Sequence, residues 1–161
     1  MFRRLLLLIT VLSTAALAAG CETEVREANI NQEQYINDYI EKNYADYEVV
    51  RNQGSNRIVL ADTLKGVPAI EKGDSSYLYL VGFIFGQNGP QGYFVQDSGM
   101  FRVGTGDLIQ GLDRGLIGAH LGEEALVLFP AQLGYGNQAV GLVPENTALM
   151  FDVFVAAIKK D

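Results

Sequence analysis

At 161 residues the chain suits one compact domain with short extensions, because domains commonly run to roughly 100–150 residues. Hydrophobic residues make up 48% of it and charged residues 19%, which excludes wholesale disorder and leaves enough apolar material for a core. The net charge is −7, and setting aside residues 1–21, which hold Arg3 and Arg4 but no carboxylate, leaves 10 basic against 19 acidic residues, net −9, so nucleic acid and anionic lipid headgroups are poor partners. A single cysteine cannot form an internal disulfide, and a single histidine cannot by itself make a metal site; neither a metal nor a cofactor is expected.

The chain opens with Arg3 and Arg4, an apolar run from Leu5 to Leu12, and small residues up to Gly20, the three zones of an export signal. The run is too short for a comfortable membrane span, which disfavours a transmembrane anchor. Leu17-Ala18-Ala19-Gly20-Cys21 resembles a bacterial lipobox, with Ala18 where leucine is commonest, and on that resemblance Cys21 becomes the acylated N-terminus. Two or three acyl chains would hold it firmly at a bilayer, at about 0.8 kcal/mol per buried methylene. A cleaved secretory peptide that leaves a stray thiol is the alternative. Residues 1–20 are thus expected to be a signal peptide and 21–45 a tether with a short helix.

Glu22 to Gln34 is polar and reads as the tether. From Gln32 to Tyr44 the residues Tyr35, Ile36, Tyr39 and Ile40 fall on one face of a helix, too short to stand alone and therefore expected to dock. Residues 48–51 and 57–60 flank the turn-rich Gln53-Gly54-Ser55-Asn56 and predict a hairpin. Tyr77 to Phe85 is aromatic and β-branched and predicts a buried strand, with further strands at 101–103, 125–129 and 148–157. Asp107 to Gly118 predicts a helix capped by Asp107, with Ile109, Leu112, Leu116 and Ile117 as its apolar face. Strands in series around one helix predict an α+β layer.

Three suggestive motifs lead nowhere. Gly104-Thr105-Gly106 lacks the third glycine of a dinucleotide fingerprint, since Ile109 stands there. His120 lies in a turn with no triad partners nearby in sequence and reads as a solvated surface residue. Glu123 and Glu124 are adjacent in a predicted strand, point to opposite faces and cannot act as a carboxylate pair.

Four blocks in order carry a family resemblance: Gly104-Thr105-Gly106-Asp107-Leu108-Ile109-Gln110-Gly111-Leu112, then Gly122-Glu123-Glu124-Ala125, then Phe129 to Gly136, then Val143-Pro144-Glu145 through Phe151-Asp152-Val153. They are similar to the FKBP-type peptidyl-prolyl isomerases, best from 75 to 161 within a domain of 46–161. The resemblance implies a twisted antiparallel sheet wrapped on one short helix, preceded by a helical and hairpin extension, with a proline-binding pocket between sheet and helix. It places Tyr135, Phe151 and Ile109 in catalytic positions and Phe94, Leu108, Leu112 and Leu142 around the substrate. The implied activity is cis–trans isomerisation of Xaa-Pro segments in exported proteins at the cell envelope, the chain being held to the bilayer through Cys21 on a bacterial periplasmic or surface face.

The chain departs from the family pattern at four residues and in one loop. Leu112 replaces the usual tryptophan of the pocket floor, Val95 an aspartate, Leu80 a tyrosine and Gly99 a phenylalanine; the loop Gly136 to Leu142 is one residue short. A wider and slower pocket is expected from these changes. They also motivate the alternative of a non-catalytic module that keeps the fold to grip a proline peptide or partner.

Overall fold

The computed structural model describes residues 31–62 and 67–161. Cys21, the export segment and most of the tether lie outside the described residues. A helix, α1, covers 31–43. It is followed by β1 (Glu48–Asn52), β2 (Ser55–Asp62), β3 (Ser75–Gly86), β4 (Gly89–Arg102), α2 (Gln110–Gly115), β5 (Glu123–Phe129), a 3₁₀ turn (Ala131–Leu133) and β6 (Ala148–Lys159). The six strands form one sheet in the order β1-β2-β5-β6-β3-β4, each neighbouring pair antiparallel.

Alternation along the strands gives the sheet two apolar faces. One carries Leu78, Leu80, Val127, Leu149, Phe151 and Val153, and packs on Leu112 of α2 and on Leu116 just after it. The other carries Ile58, Phe85, Leu126, Leu128 and Met150, and is covered by Ile36 and Ile40 of α1. The docking expected for this helix is therefore present. Gln32 fastens its N-terminal end: its side-chain amide donates to the Asn146 carbonyl at 2.7 Å and accepts the Ala131 N–H at 2.7 Å.

The hairpin β1–β2 turns at Gln53 and Gly54, both at positive φ (48° and 88°), the conformation a two-residue hairpin loop requires; Ser55 and Asn56 already belong to β2. The predicted strand at 101–103 is the end of a much longer β4. Gly89, Pro90, Gly92 and Gly99 conceal it, yet β4 is an edge strand paired only with β3, where proline and glycine are tolerated. The helix expected over Asp107 to Gly118 is shorter. Ile109 holds its N-cap position without a side-chain cap, and the Asp107 carboxylate instead accepts the Arg102 N–H at 3.0 Å.

Candidate active site

Where β3, β4 and β6 curl past the start of α2 they leave a cleft of about 190 Å³ lined by Leu80, Val95, Asp97, Phe101, Asp107, Leu108, Ile109, Leu112, Tyr135 and Phe151. The volume suits a single small ring, since pockets for drug-sized ligands run to roughly 300–1,000 Å³.

The cleft is set by one glycine and one irregularity. Opposite Gly82 the β3–β4 register slips, so that Gly82 faces Val95 while Phe83 faces Tyr93, and Phe94 is the extra residue. Such a bulge re-aims side chains, and here both Phe94 and Val95 turn toward the same face. A Cβ on Gly82 would stand 2.7 Å from Val95 and 2.8 Å from each of Phe94 and Phe151, so the missing side chain is the space these three fill. Phe94 meets Phe151 edge-on and Tyr135 likewise, with centroids 6.4 Å apart in the second pair. Behind Phe151 lies Phe129, nearly parallel at 6.0 Å. In turn Phe129 rests on α2 at Gly111, where a Cβ would come within 2.2 Å of the ring.

Two loops bring the remaining lining residues. Gly104 and Gly106, at φ 79° and 96°, make the turn before α2, and buried Asp113 accepts both of their N–H groups at 3.0 and 2.6 Å. The Gly-Thr-Gly motif thus shapes a loop that presents Asp107, Leu108 and Ile109 to the cleft. After the 3₁₀ turn, the Gly136 N–H donates to Ala131 and the Gln138 N–H to Tyr135 at 2.8 and 3.2 Å, which fixes the backbone at Tyr135.

Of the seven residues expected at the pocket, Ile109, Leu108, Leu112, Tyr135 and Phe151 line the cleft and Phe94 packs directly behind it. Leu142 does not reach it. A tight turn with paired Val140 and Val143 buries Val143 at 1% exposure and leaves Leu142 73% exposed. The wall expected to have lost its lining is rebuilt from the same strand. Phe101 folds over Gly99, whose Cβ position lies 3.6 Å from the ring, so an aromatic is supplied two residues further along. Asp97, two residues beyond Val95 and on the same face of β4, brings a carboxylate to the rim. Asp97 and Phe101 stand at i, i+2 from Val95 and Gly99, a spacing that places them on the same face only once residues 89–102 form one strand, which local pattern did not predict.

Away from the cleft, Glu123 is buried and Glu124 exposed, as their opposite directions required. His120 is not simply solvated: it stands between the carboxylates of Asp62 and Glu123. Arg57 pairs with Glu123 at 3.0 Å, both side chains buried. Burial pushes the Glu123 carboxyl up and the Arg57 guanidinium down from their ordinary values, each offset in part by the other's charge.

An antiparallel sheet wound on a short helix, with an aromatic cleft between them, defines an FKBP-like α+β domain. The family model for the FKBP-type peptidyl-prolyl cis-trans isomerase matches residues 67–156, more than half of the chain, and the chain belongs to this family. Among curated relatives it is 42% identical over 60 residues to FK506-binding protein 1A of Neurospora crassa, covering 37% of this chain and 50% of that protein. It is 33% identical over 104 residues to FK506-binding protein 2B of Rhizopus delemar, covering 59% and 50%. The chain spans half or less of these relatives' length, and only 14% of FK506-binding protein 3 of Candida albicans. In fold it is similar to the crystal structure of a peptidyl-prolyl cis-trans isomerase from Pseudomonas syringae pv. tomato, with a TM-score of 0.66 at 19% identity over 84% of this chain and 96% of that one.

Proposed function

We propose that the chain is a peptidyl-prolyl cis-trans isomerase that acts on Xaa-Pro segments of exported proteins at the cell envelope, lipid-anchored through Cys21. The observation that carries the enzymatic part is the orientation of Phe151, held between Phe94 and Phe129 and facing a ring-sized apolar cleft. The reaction needs no acid, base or covalent step. Twisting an amide costs ~18–20 kcal/mol because resonance is lost, while the cis and trans forms of an Xaa-Pro bond are nearly balanced, so lowering the barrier suffices. A cleft walled by Leu80, Ile109, Leu112 and Phe151 strips water from the amide and weakens its dipolar planar form relative to the twisted one. Ring walls hold the proline while Tyr135 offers a hydroxyl to the peptide backbone.

Magnetisation-exchange NMR on an Ala-Leu-Pro-Phe peptide tests this reading: acceleration over the spontaneous rate at micromolar protein supports it, and none at all removes it. The second reading, a non-catalytic proline-binding module, is favoured by the aliphatic Leu80 and Val95 on the β3–β4 wall; it requires peptide binding without acceleration. Envelope location and acylation rest on the residues Leu5 to Cys21. Metabolic labelling with a fatty acid checks them, and a Cys21→Ser chain that still takes up label would remove the lipid assignment.

A further inference from the structure

We propose that Asp62, His120 and Glu123 form a site for one divalent transition-metal ion of the zinc type, separate from the cleft and sharing no residue with it. Asp62 closes β2, Glu123 opens β5, and the two are direct cross-strand partners. A register shift between Val59 and Ala61 produces this pairing, since one extra residue in a strand exchanges its faces. Like charges directly opposite in a ladder repel. These two are also withdrawn from water, their side chains 9% and 1% exposed.

The surroundings neutralise only part of that charge. Arg57 places its Nε 3.0 Å from Glu123 Oε1 without hydrogen-bond alignment, and its Nη1 donates to the Gly115 and Ile117 carbonyls. One guanidinium against two carboxylates leaves one negative charge. Among the described residues Asp62 Oδ1 has no hydrogen-bond partner. A buried carboxylate oxygen without a partner is costly, and a cation is the usual remedy.

His120 completes the donor set. Its Nδ1 lies 3.2 Å from Asp62 Oδ2 and 3.6 Å from Glu123 Oε2, and no two of the three donor atoms are more than 4.8 Å apart. Metal–ligand bonds of about 2.0–2.2 Å set neighbouring donors of a tetrahedron roughly 3.3–3.6 Å apart, so two of the separations need little adjustment. Its backbone is already fixed: the His120 N–H donates to Glu123 Oε2 at 2.9 Å, and the residue bridges to Ala69. A neutral imidazole and two carboxylates are the borderline donors zinc accepts, and three protein ligands leave a position for water. The His120 side chain, 34% exposed, gives the ion its way in.

The full chain carrying Cys21→Ser, which removes the only thiol, is stripped of metal and titrated with Zn²⁺ by calorimetry and with Co²⁺ by visible absorption. Saturation at one equivalent is expected, with Co²⁺ bands displaced by Zn²⁺. Binding should weaken at least about tenfold in Asp62→Asn and in His120→Gln, while far-UV circular dichroism and isomerase activity stay unchanged. His120 is partly exposed, and Asp62→Asn keeps the side-chain volume while removing one of two facing charges, so folding is retained. Absence of saturable binding, which is the behaviour of a cluster neutralised by a proton on His120, overturns the assignment; so does full affinity in either variant.

Discussion

Phe94 stands edge-on to Phe151, the ring centroids 5.7 Å apart and the planes at 87°. With Phe129 stacked against it as well, Phe151 cannot turn without displacing a neighbour, and it presents one fixed surface to the cleft. Phe151→Ala is therefore expected to lower kcat/KM at least about tenfold, the equivalent of ~1.4 kcal/mol in the transition state. It should also cost about 3–5 kcal/mol of stability through the cavity left behind. Phe151→Leu, which keeps most of the volume, separates the two effects: activity should still fall while the melting temperature recovers. Leu142→Ala, in an exposed turn, should leave kcat/KM within about twofold. Equal activity in the wild type and Phe151→Leu would place catalysis elsewhere.

How far the sequence disclosed this arrangement depends on what each element obeys. The hydrophobic repeat of Tyr35, Ile36, Tyr39 and Ile40 was readable because helical periodicity survives any tertiary context, and α1 docks by those residues. The aromatic run of β3 was readable for the same kind of reason. β4 was not, because an edge strand needs neither continuous apolar residues nor freedom from proline and glycine. That loss propagated to the site. Without β4 as one strand, Asp97 and Phe101 had no register relative to Val95 and Gly99, and the wall seemed depleted when it was displaced by two residues. The pairing of Asp62 with Glu123 depends on a strand irregularity and a partner 61 positions away, neither of which local pattern can supply.

Asp97 on β4 and Asp107 ahead of α2 both line the cleft, and among the described residues no basic residue does. In a chain of net charge −7 the rim should favour peptides with lysine or arginine beside the proline over those with glutamate. Exposed ion pairs contribute ~0.2–1 kcal/mol each, so a preference of a few fold is expected in kcat/KM, shrinking as salt is raised. Asp97→Asn and Asp107→Asn should each narrow the ratio between Lys-Pro and Glu-Pro peptides while leaving a Leu-Pro peptide nearly unaffected. A ratio near one in the wild type at low salt would dismiss the idea.

Gly82→Ala tests the packing that shapes the cleft. Its new methyl would stand 2.7–2.8 Å from Val95, Phe94 and Phe151 at once, and all three are held by other contacts. Overpacking of this kind costs roughly 1–3 kcal/mol. Thermal unfolding should register that loss, and because Phe151 must shift to relieve it, isomerase activity should fall as well. Gly92→Ala, where a Cβ would meet nothing within 4 Å, is the matched control and should change neither. Full stability in Gly82→Ala would mean that the bulge at Phe94 relaxes freely.

The last strand is closed by Lys160, whose Nζ donates to Asp74 at 2.8 Å, Glu71 at 2.9 Å and the Ala69 carbonyl at 2.7 Å. The Lys160 hydrogen bond, aided by the Glu71 N–H, holds the Asp74 carboxyl below its ordinary value of 3.8, and Asp74 holds Lys160 above 10.5. A lowered carboxyl stabilises the folded state fully above the ordinary carboxylate value, and that contribution is lost as pH falls through the lowered one. A raised ammonium stabilises below its ordinary value and is lost as pH rises through the raised one. The contribution is therefore level across neutral pH and declines only at the acid and strongly alkaline ends. Asp74→Asn should lower the urea midpoint by a constant amount between about pH 5 and 9, and the gap from wild type should close toward about pH 3. A gap as wide at about pH 3 as at pH 7 would show that the lost stability lies in the neutral hydrogen bonds of Asp74 rather than in its charge.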